Sequence, residues 1–179
     1  MTMVGYGRSS YNQRRQRDMY NIRELAESDL DYRDEIVDSI AEAKSYLMKF
    51  GWCDEIREGW LAASFGYILN ILYFEIVPDY KSCTDTHVWV VVGDLPPAYI
   101  DTISAPSAHD ALQVYISIMQ EWVDAVMAEK SVEDCFPVNV PPQKHYAEML
   151  NTRLGLLKSD FLPLIPTENA QINIKTGRQ

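Results

Sequence analysis

The run Val88-Trp89-Val90-Val91-Val92 sets five β-branched or aromatic residues in succession. Such a run reads as a buried strand. Gly93-Asp94-Leu95-Pro96-Pro97 closes it. Gly tolerates unusual backbone angles, Asp bonds its own backbone, and each Pro removes a ladder donor. The chain therefore leaves the sheet at one defined point, beside a carboxylate. A second apolar run, from Phe65 to Val77, is rich in Tyr, Ile, Leu and Phe and ends at Pro78-Asp79. A strand pair or one long strand fits it best. A buried helix is the competing reading, because periodicity does not separate the two in an all-apolar run. Residues 79–86 then read as a hairpin loop, so that 67–77 and 87–92 pair antiparallel. Tyr99 to Ile103 add a short third strand after the Pro-Pro turn.

Elsewhere the apolar positions recur at helical spacing. A helix near 32–50, beginning around Asp29–Asp31, sets Ile36, Val37, Ile40, Ala43, Leu47 and Met48 on one side. Asp34, Glu35, Asp38 and Glu42 take much of the other, and Gly51 stops the helix. The clearest helix covers 107–130. Ser107 suits its N-cap, Asp110 sits three residues on, and Leu112, Tyr115, Ile116, Met119, Trp122, Val123 and Val126 form its stripe. A last helix over 143–159 carries Tyr146, Met149, Leu150, Leu154 and Leu157. Residues 52–60 read as an aromatic and acidic connection with room for a helical turn, and 136–142 as a Pro-broken one. The pattern predicts an α+β fold: a small antiparallel sheet packed against about three helices in a single domain, residues 21–165. Residues 1–20 form a flexible basic arm and 166–179 a frayed tail.

Composition narrows the function. The chain has 179 residues, 47% of them hydrophobic, which suits one globular domain. Its net charge of −10 favours a basic protein partner and opposes nucleic acid or anionic lipid. Arg8, Arg14, Arg15 and Arg17 in the arm invite a nucleic-acid reading, which the acidic body opposes; folding back onto that body is the other option. Cys53, Cys83 and Cys135 are odd in number and widely spaced, so reduced thiols in a cytoplasmic protein are expected rather than a disulfide framework. No secretory signal is expected from the N-terminal residues. The apolar stretch from Trp60 to Val77 is interrupted by Ser64, Gly66, Asn70 and Glu75, so no membrane span is expected.

Candidate chemistry is sparse. Asp94 at the strand exit suits a cation ligand or a general base, but also an Asx turn that caps its own loop, the favoured reading. Cys83 and His87 have C-x3-H spacing with Asp85 between them. A zinc site needs further ligands, and Cys53, Cys135 and His145 are distant in sequence. A Cys–His nucleophile pair lacks an accompanying oxyanion loop. His109, next to Asp110 in a helical first turn, reads as a surface histidine. Trp52, Trp60, Trp89 and Trp122 read as core. Phosphate-binding, dinucleotide, zinc-protease and hydrolase-elbow motifs are missing. No cofactor and no metal are therefore expected. The acidic groups Asp34, Glu35 and Asp38, and Asp54, Glu55 and Glu58, form either a solvated face or a docking face for a basic protein.

Val88-Trp89-Val90-Val91-Val92-Gly93-Asp94-Leu95-Pro96, followed by Ala108-His109-Asp110-Ala111-Leu112 and Trp122, resembles a family of small uncharacterised bacterial proteins with a W-x-x-x-G-D-L-P strand-turn and an Asp-Ala-Leu helix. The resemblance covers roughly residues 60–128. It implies an α+β fold and a bacterial source, and supplies no catalytic residues. The leading expectation is a small acidic cytoplasmic binding protein, an inhibitor or immunity-type protein that neutralises a basic toxin or enzyme. Its partner face would use Asp34, Glu35, Asp38, Asp54, Glu55 and Glu58. The alternative is a small hydrolase-like enzyme using Asp94 with His87 or His109.

Overall fold

The computed structural model describes residues 19–28, 31–79 and 86–167. The elements run β1 (Tyr20–Asn21), α1 (Ile22–Ala26), α2 (Arg33–Leu47), β2 (Cys53–Ser64), β3 (Asn70–Pro78), β4 (His87–Val92), β5 (Ala98–Asp101), α3 (Ala108–Met127) and α4 (Lys144–Leu156). A π turn at Leu157–Phe161 and a short 3-10 turn at Leu162–Leu164 follow. The strands form one antiparallel sheet in the order β1-β2-β3-β4-β5. The fold is a small α+β fold.

Strands β3 and β4 are packed on both faces, with Tyr73, Glu75 and Val77 of β3 and His87 of β4 partly open to solvent. Leu72, Phe74, Ile76, Val88, Val90 and Val92 share a core with Ile22, Leu25, Ile36, Ile40, Ala43 and Leu47 of α1 and α2. The alternate residues Ile71, Trp89 and Val91 share a second core with Ala111, Leu112, Tyr115, Met119, Trp122 and Val123 of α3, and with Ala147, Leu150 and Leu154 of α4. Helices thus cover the sheet on both sides. That accounts for the unbroken apolar run at 88–92: the pleat still alternates, but both directions lead into apolar packing. Tyr73 and Trp89, directly opposite each other in the ladder, have ring centroids 4.6 Å apart.

Several expectations shift. The stretch 52–60, read as a connection, is most of β2. Register shifts between Cys53 and Glu55, Ile56 and Glu58, and Leu61 and Ala63 break its period of two. Gly59 is needed there because a Cβ would lie 2.7 Å from both Ile22 Cδ1 and the Phe74 ring. The run starting at 65–67 begins as a turn, and strand β3 starts at Asn70. Val37, Met48 and Met149, placed on apolar stripes from sequence, are exposed, while Ala147 takes the inward position on α4. The arm boundary at residue 20 falls within β1, where Tyr20 pairs with Leu61. The rest of the arm, the 80–85 part of the hairpin loop and most of the tail lie outside the described residues. No helix among the described residues is long and apolar enough to cross a membrane.

The Ser107 cap holds as expected. Its hydroxyl accepts from the Asp110 amide at 3.1 Å and donates to the Asp110 carboxylate at 2.6 Å. Trp89 and Trp122 are buried, whereas Trp52 and Trp60 are half-buried in aromatic groups with Tyr99 and Tyr73. Trp89 is 4% exposed and its indole N–H donates to the Ala105 carbonyl at 2.8 Å. Trp89→Ala is expected to destabilise the fold by about 3–5 kcal/mol, measured from denaturant unfolding. Trp89→Phe, which mainly leaves the Ala105 carbonyl without its donor, should lose about 1–3 kcal/mol. A change below about 1 kcal/mol for the alanine variant would contradict the position of Trp89 between two core layers.

Candidate functional site

The strand exit after β4 is shaped by one close approach. Gly93 has φ +141°, and a Cβ built there would lie 2.4 Å from the Ile68 carbonyl oxygen. No side chain fits that gap, and few L-residues take that backbone conformation. The next amide, Asp94 N–H, donates to the carbonyls of Tyr67 at 2.9 Å and Ile68 at 3.2 Å. The Gly-Asp exit therefore clamps the turn between β2 and β3. Tyr115 Oη donates to the Pro96 carbonyl at 2.8 Å and ties the same exit to α3.

The clamped turn spans 65–69. Gly66 has φ +62°, and Phe65 N–H donates to the Leu69 carbonyl at 2.8 Å. Tyr67 and Ile68 project from the turn and are 58% and 44% exposed. The start of α2 lies against it: a Cβ on Gly66 would sit 3.4 Å from Glu35 Oε2. Desolvation, then the negative charge of Glu35, Asp38 and Asp34, raises the Tyr67 hydroxyl above the ordinary tyrosine value. Asp34 is paired with Arg33 at 3.3 Å, while Glu35 and Asp38 have no basic partner among the described residues. Behind the turn, Asn70 Nδ2 donates to the Gly66 carbonyl at 2.7 Å and to Ser39 Oγ at 2.9 Å, and Ser39 donates to the Glu35 carbonyl at 2.9 Å. Asn70 is 1% exposed, and its Oδ1 has no hydrogen-bond partner among the described residues.

The sequence candidates separate. Asp34, Glu35 and Asp38 lie near enough to Tyr67 for their charge to act on its hydroxyl. Asp54 and Glu55 lie toward the opposite end of β2, on the order of 30 Å along the strand, where the Cys53 amide meets Phe50 after α2. Glu58 is committed within the fold: it accepts from Asn21 Nδ2 at 3.1 Å and faces Arg23 at 3.5 Å. It ties β1 and α1 to β2. The six carboxylates thus do not form one face.

Asp94 does not spend its carboxylate on its own turn, as the turn chemistry suggests. It hydrogen-bonds Arg153 of α4 instead. Its backbone amide, not its side chain, makes the turn contact. Its side chain is 69% exposed, and neither His87 nor His109 hydrogen-bonds it. His87 stacks on Tyr73 at 5.3 Å and its Nδ1 meets Thr86 Oγ1 at 2.9 Å. His109 lies 4.0 Å from the Asp110 carboxylate. The acid–base pair of the enzyme alternative is not assembled. Cys83 and Asp85 lie outside the described residues, and among the described ones no three His, Cys, Asp or Glu side chains are grouped to hold a metal. His145 is exposed beside Tyr146, and Cys53 and Cys135 are free thiols.

Tyr67, Ile68 and Arg153 escaped the sequence reading. Gly66, inside an apolar run, was the available signal for a turn. Arg153 had none, because its partner is 59 residues away. Comparison with family models, with curated proteins and with solved structures finds no match to this chain.

Two substitutions test this geometry. Gly93→Ala combines a strained backbone with overpacking against Ile68, and should lose about 2–5 kcal/mol of unfolding free energy. Asp94→Asn removes only an exposed ion pair and should lose less than about 1 kcal/mol. Equal losses in the two variants would mean that the clamp is not what holds the exit.

Proposed function

We propose that the chain is a small acidic binding protein whose Tyr67 face takes a basic protein, and that it acts as an inhibitor or immunity-type protein in a bacterial cytoplasm. The observation that carries this reading is Tyr67 itself: an exposed aromatic ring on a clamped turn, beside Glu35, Asp38 and Asp34. Tyrosine supplies large contact area with little conformational freedom to lose, and is enriched among residues that dominate binding energy. A lysine or arginine over its ring gains from the ring quadrupole. Glu35 and Asp38 would accept hydrogen bonds from a guanidinium, which matches carboxylates in a fork. Ile68 extends the contact with apolar area.

The test pairs affinity capture from a bacterial host with kinetics on the captured partner. Tyr67→Ala should weaken binding by roughly 30-fold or more, mainly through faster dissociation. Reversing Asp34, Glu35 and Asp38 to Lys should slow association at low salt, and the difference should shrink at high salt. Folding should be nearly intact in both. A partner that binds both variants as it binds the parent chain would remove this face from the proposal. Asp54 and Glu55 would then be the next carboxylates to reverse.

A further inference from the structure

A cleft of about 470 Å³ lies between α3, α4 and the turns that follow α4, open on one side. That size falls within the range of small-molecule sites. Gln120 Nε2 donates to Asn151 Oδ1 at 3.1 Å and bridges the two helices at one end of it. Helix α4 runs back along α3, so Gln113 and Lys158 line the other end. Seven residues of helical rise separate Gln113 from Gln120, about 10 Å. Between the ends Ile116, Leu154 and Leu162 make an apolar floor, each of them buried or half-buried. Neither Gln113 nor Lys158 has a side-chain partner among the described residues. Two departures from a regular helix fall on the cleft wall. Gly155 sits within a helical run that continues to Leu164, although glycine weakens a helix interior relative to alanine. Its backbone is not left-handed, and a Cβ built on it meets nothing within 4 Å. Neither conformation nor packing inside the chain therefore calls for glycine, and its missing side chain leaves backbone bare to the cleft. Two residues on, the helix widens into the π turn at Leu157–Phe161 that carries Lys158. Such turns recur at functional sites.

We propose that this cleft binds a small aliphatic carboxylate. Its chain lies on Ile116, Leu154 and Leu162 against the bare backbone of Gly155, and its carboxylate meets Lys158 Nζ and Gln113 Nε2. The site shares no lining residue with the Tyr67 face and does not depend on the reading of that face. The ligand class follows from the cleft's chemistry. Lys158 is the one charged side chain that lines it, so the charged group of the ligand is an anion. A net charge of −10 repels polyanions, and a single negative charge on a long apolar body suffers least from that field. An exposed ion pair is weak by itself, so the apolar floor supplies most of the affinity and the lysine sets the orientation. Gln120 and Asn151 are already bonded to each other, and their bridge stops the chain at its methyl end. A body about 10 Å long fills the interval between bridge and lysine.

The test titrates the full chain with octanoate at millimolar concentration and follows the amide resonances of Ser117, Gly155 and Lys158. Octanol supplies the same chain without the charge, and acetate the charge without the chain. Octanoate is expected to shift the three resonances saturably, and acetate to leave them unmoved. Lys158→Gln should weaken octanoate about tenfold and leave octanol unchanged. Gly155→Leu should weaken octanoate and octanol alike, by about tenfold or more. The melting temperature of that variant should hold or rise, because leucine is the better helix former. A filled cleft is thereby told apart from a damaged fold. If the melting temperature falls instead, the fold itself needs the glycine and the proposal loses its ground. Octanoate that binds regardless of Lys158 overturns the carboxylate assignment, and octanoate that binds Gly155→Leu as it binds the parent overturns the site. Absence of a saturable shift in the parent chain, or shifts scattered over the surface, overturns the proposal as a whole.

Discussion

Burial of β3 and β4 on both faces constrains everything else in this molecule. An antiparallel sheet commonly keeps one wet face, and its strands then alternate apolar with polar residues. Here Phe74 and Val90 point to α1 and α2, while Ile71, Trp89 and Val91 point to α3 and α4. Two helical layers are therefore obligatory, and the central backbone groups must find their partners within the ladder. Solvent meets the central strands mainly at their ends and beside Tyr73 and Glu75. A surface built from this part of the chain has to be made of the turns that leave the sheet. The 65–69 turn and the 93–97 exit are such turns, and they meet at one end.

That meeting is a backbone contact, which gives it a stiffness that side-chain packing would not. The Ile68 carbonyl fills the space a Cβ on Gly93 would need, and the Asp94 amide reaches two carbonyls of the turn. Asn70 and Ser39 hold the turn from behind and connect it to the backbone of α2 at Glu35. Tyr67 and the carboxylates therefore belong to one framework, although they come from a turn and a helix separated in sequence. A turn held in this way has little backbone freedom left to lose in any contact made through it.

The fold was legible where one local force dominates. The 88–92 run and the Ser107 cap needed no knowledge of the rest of the chain. Strand β2 was hidden because three register shifts break its alternation, and because Asp54 and Glu55 face water on an outer strand. Once a strand is bulged, its polar residues no longer fall on one parity, and acidic ones then suggest a loop. Helix α2 was found, but its face was drawn too wide: Val37 and Met48 are exposed while Ser39 is buried, because Ser39 meets Asn70. The candidate site was legible only in its charges. Asp34, Glu35 and Asp38 stood out in sequence, but Tyr67 was absorbed into an apolar run. The partner of Asp94 depended on how α4 returns to the sheet exit, which no local pattern records.

Charge alone does not distinguish a docking face from a solvated one; what each carboxylate already touches does. Glu58 carries the same charge as Glu35, but Asn21, the Gly59 amide and Arg23 surround it. A partner that used Glu58 would have to loosen β1 and α1 from β2. Asp34 is partly neutralised by its neighbour Arg33, but with exposed side chains such a pair is weak and readily exchanged. Glu35 and Asp38 carry no such commitment among the described residues, and they stand beside an aromatic ring that gives a cation a second reason to stay. Long-range attraction by the net charge of −10 brings basic molecules to this protein without choosing where they land. Selection of a place requires short-range contacts that survive screening, and the Tyr67 ring with Ile68 supplies apolar area that salt does not weaken. The acidic field and the clamped turn thus act at different ranges, and their coincidence at one end of the sheet makes that end a candidate surface.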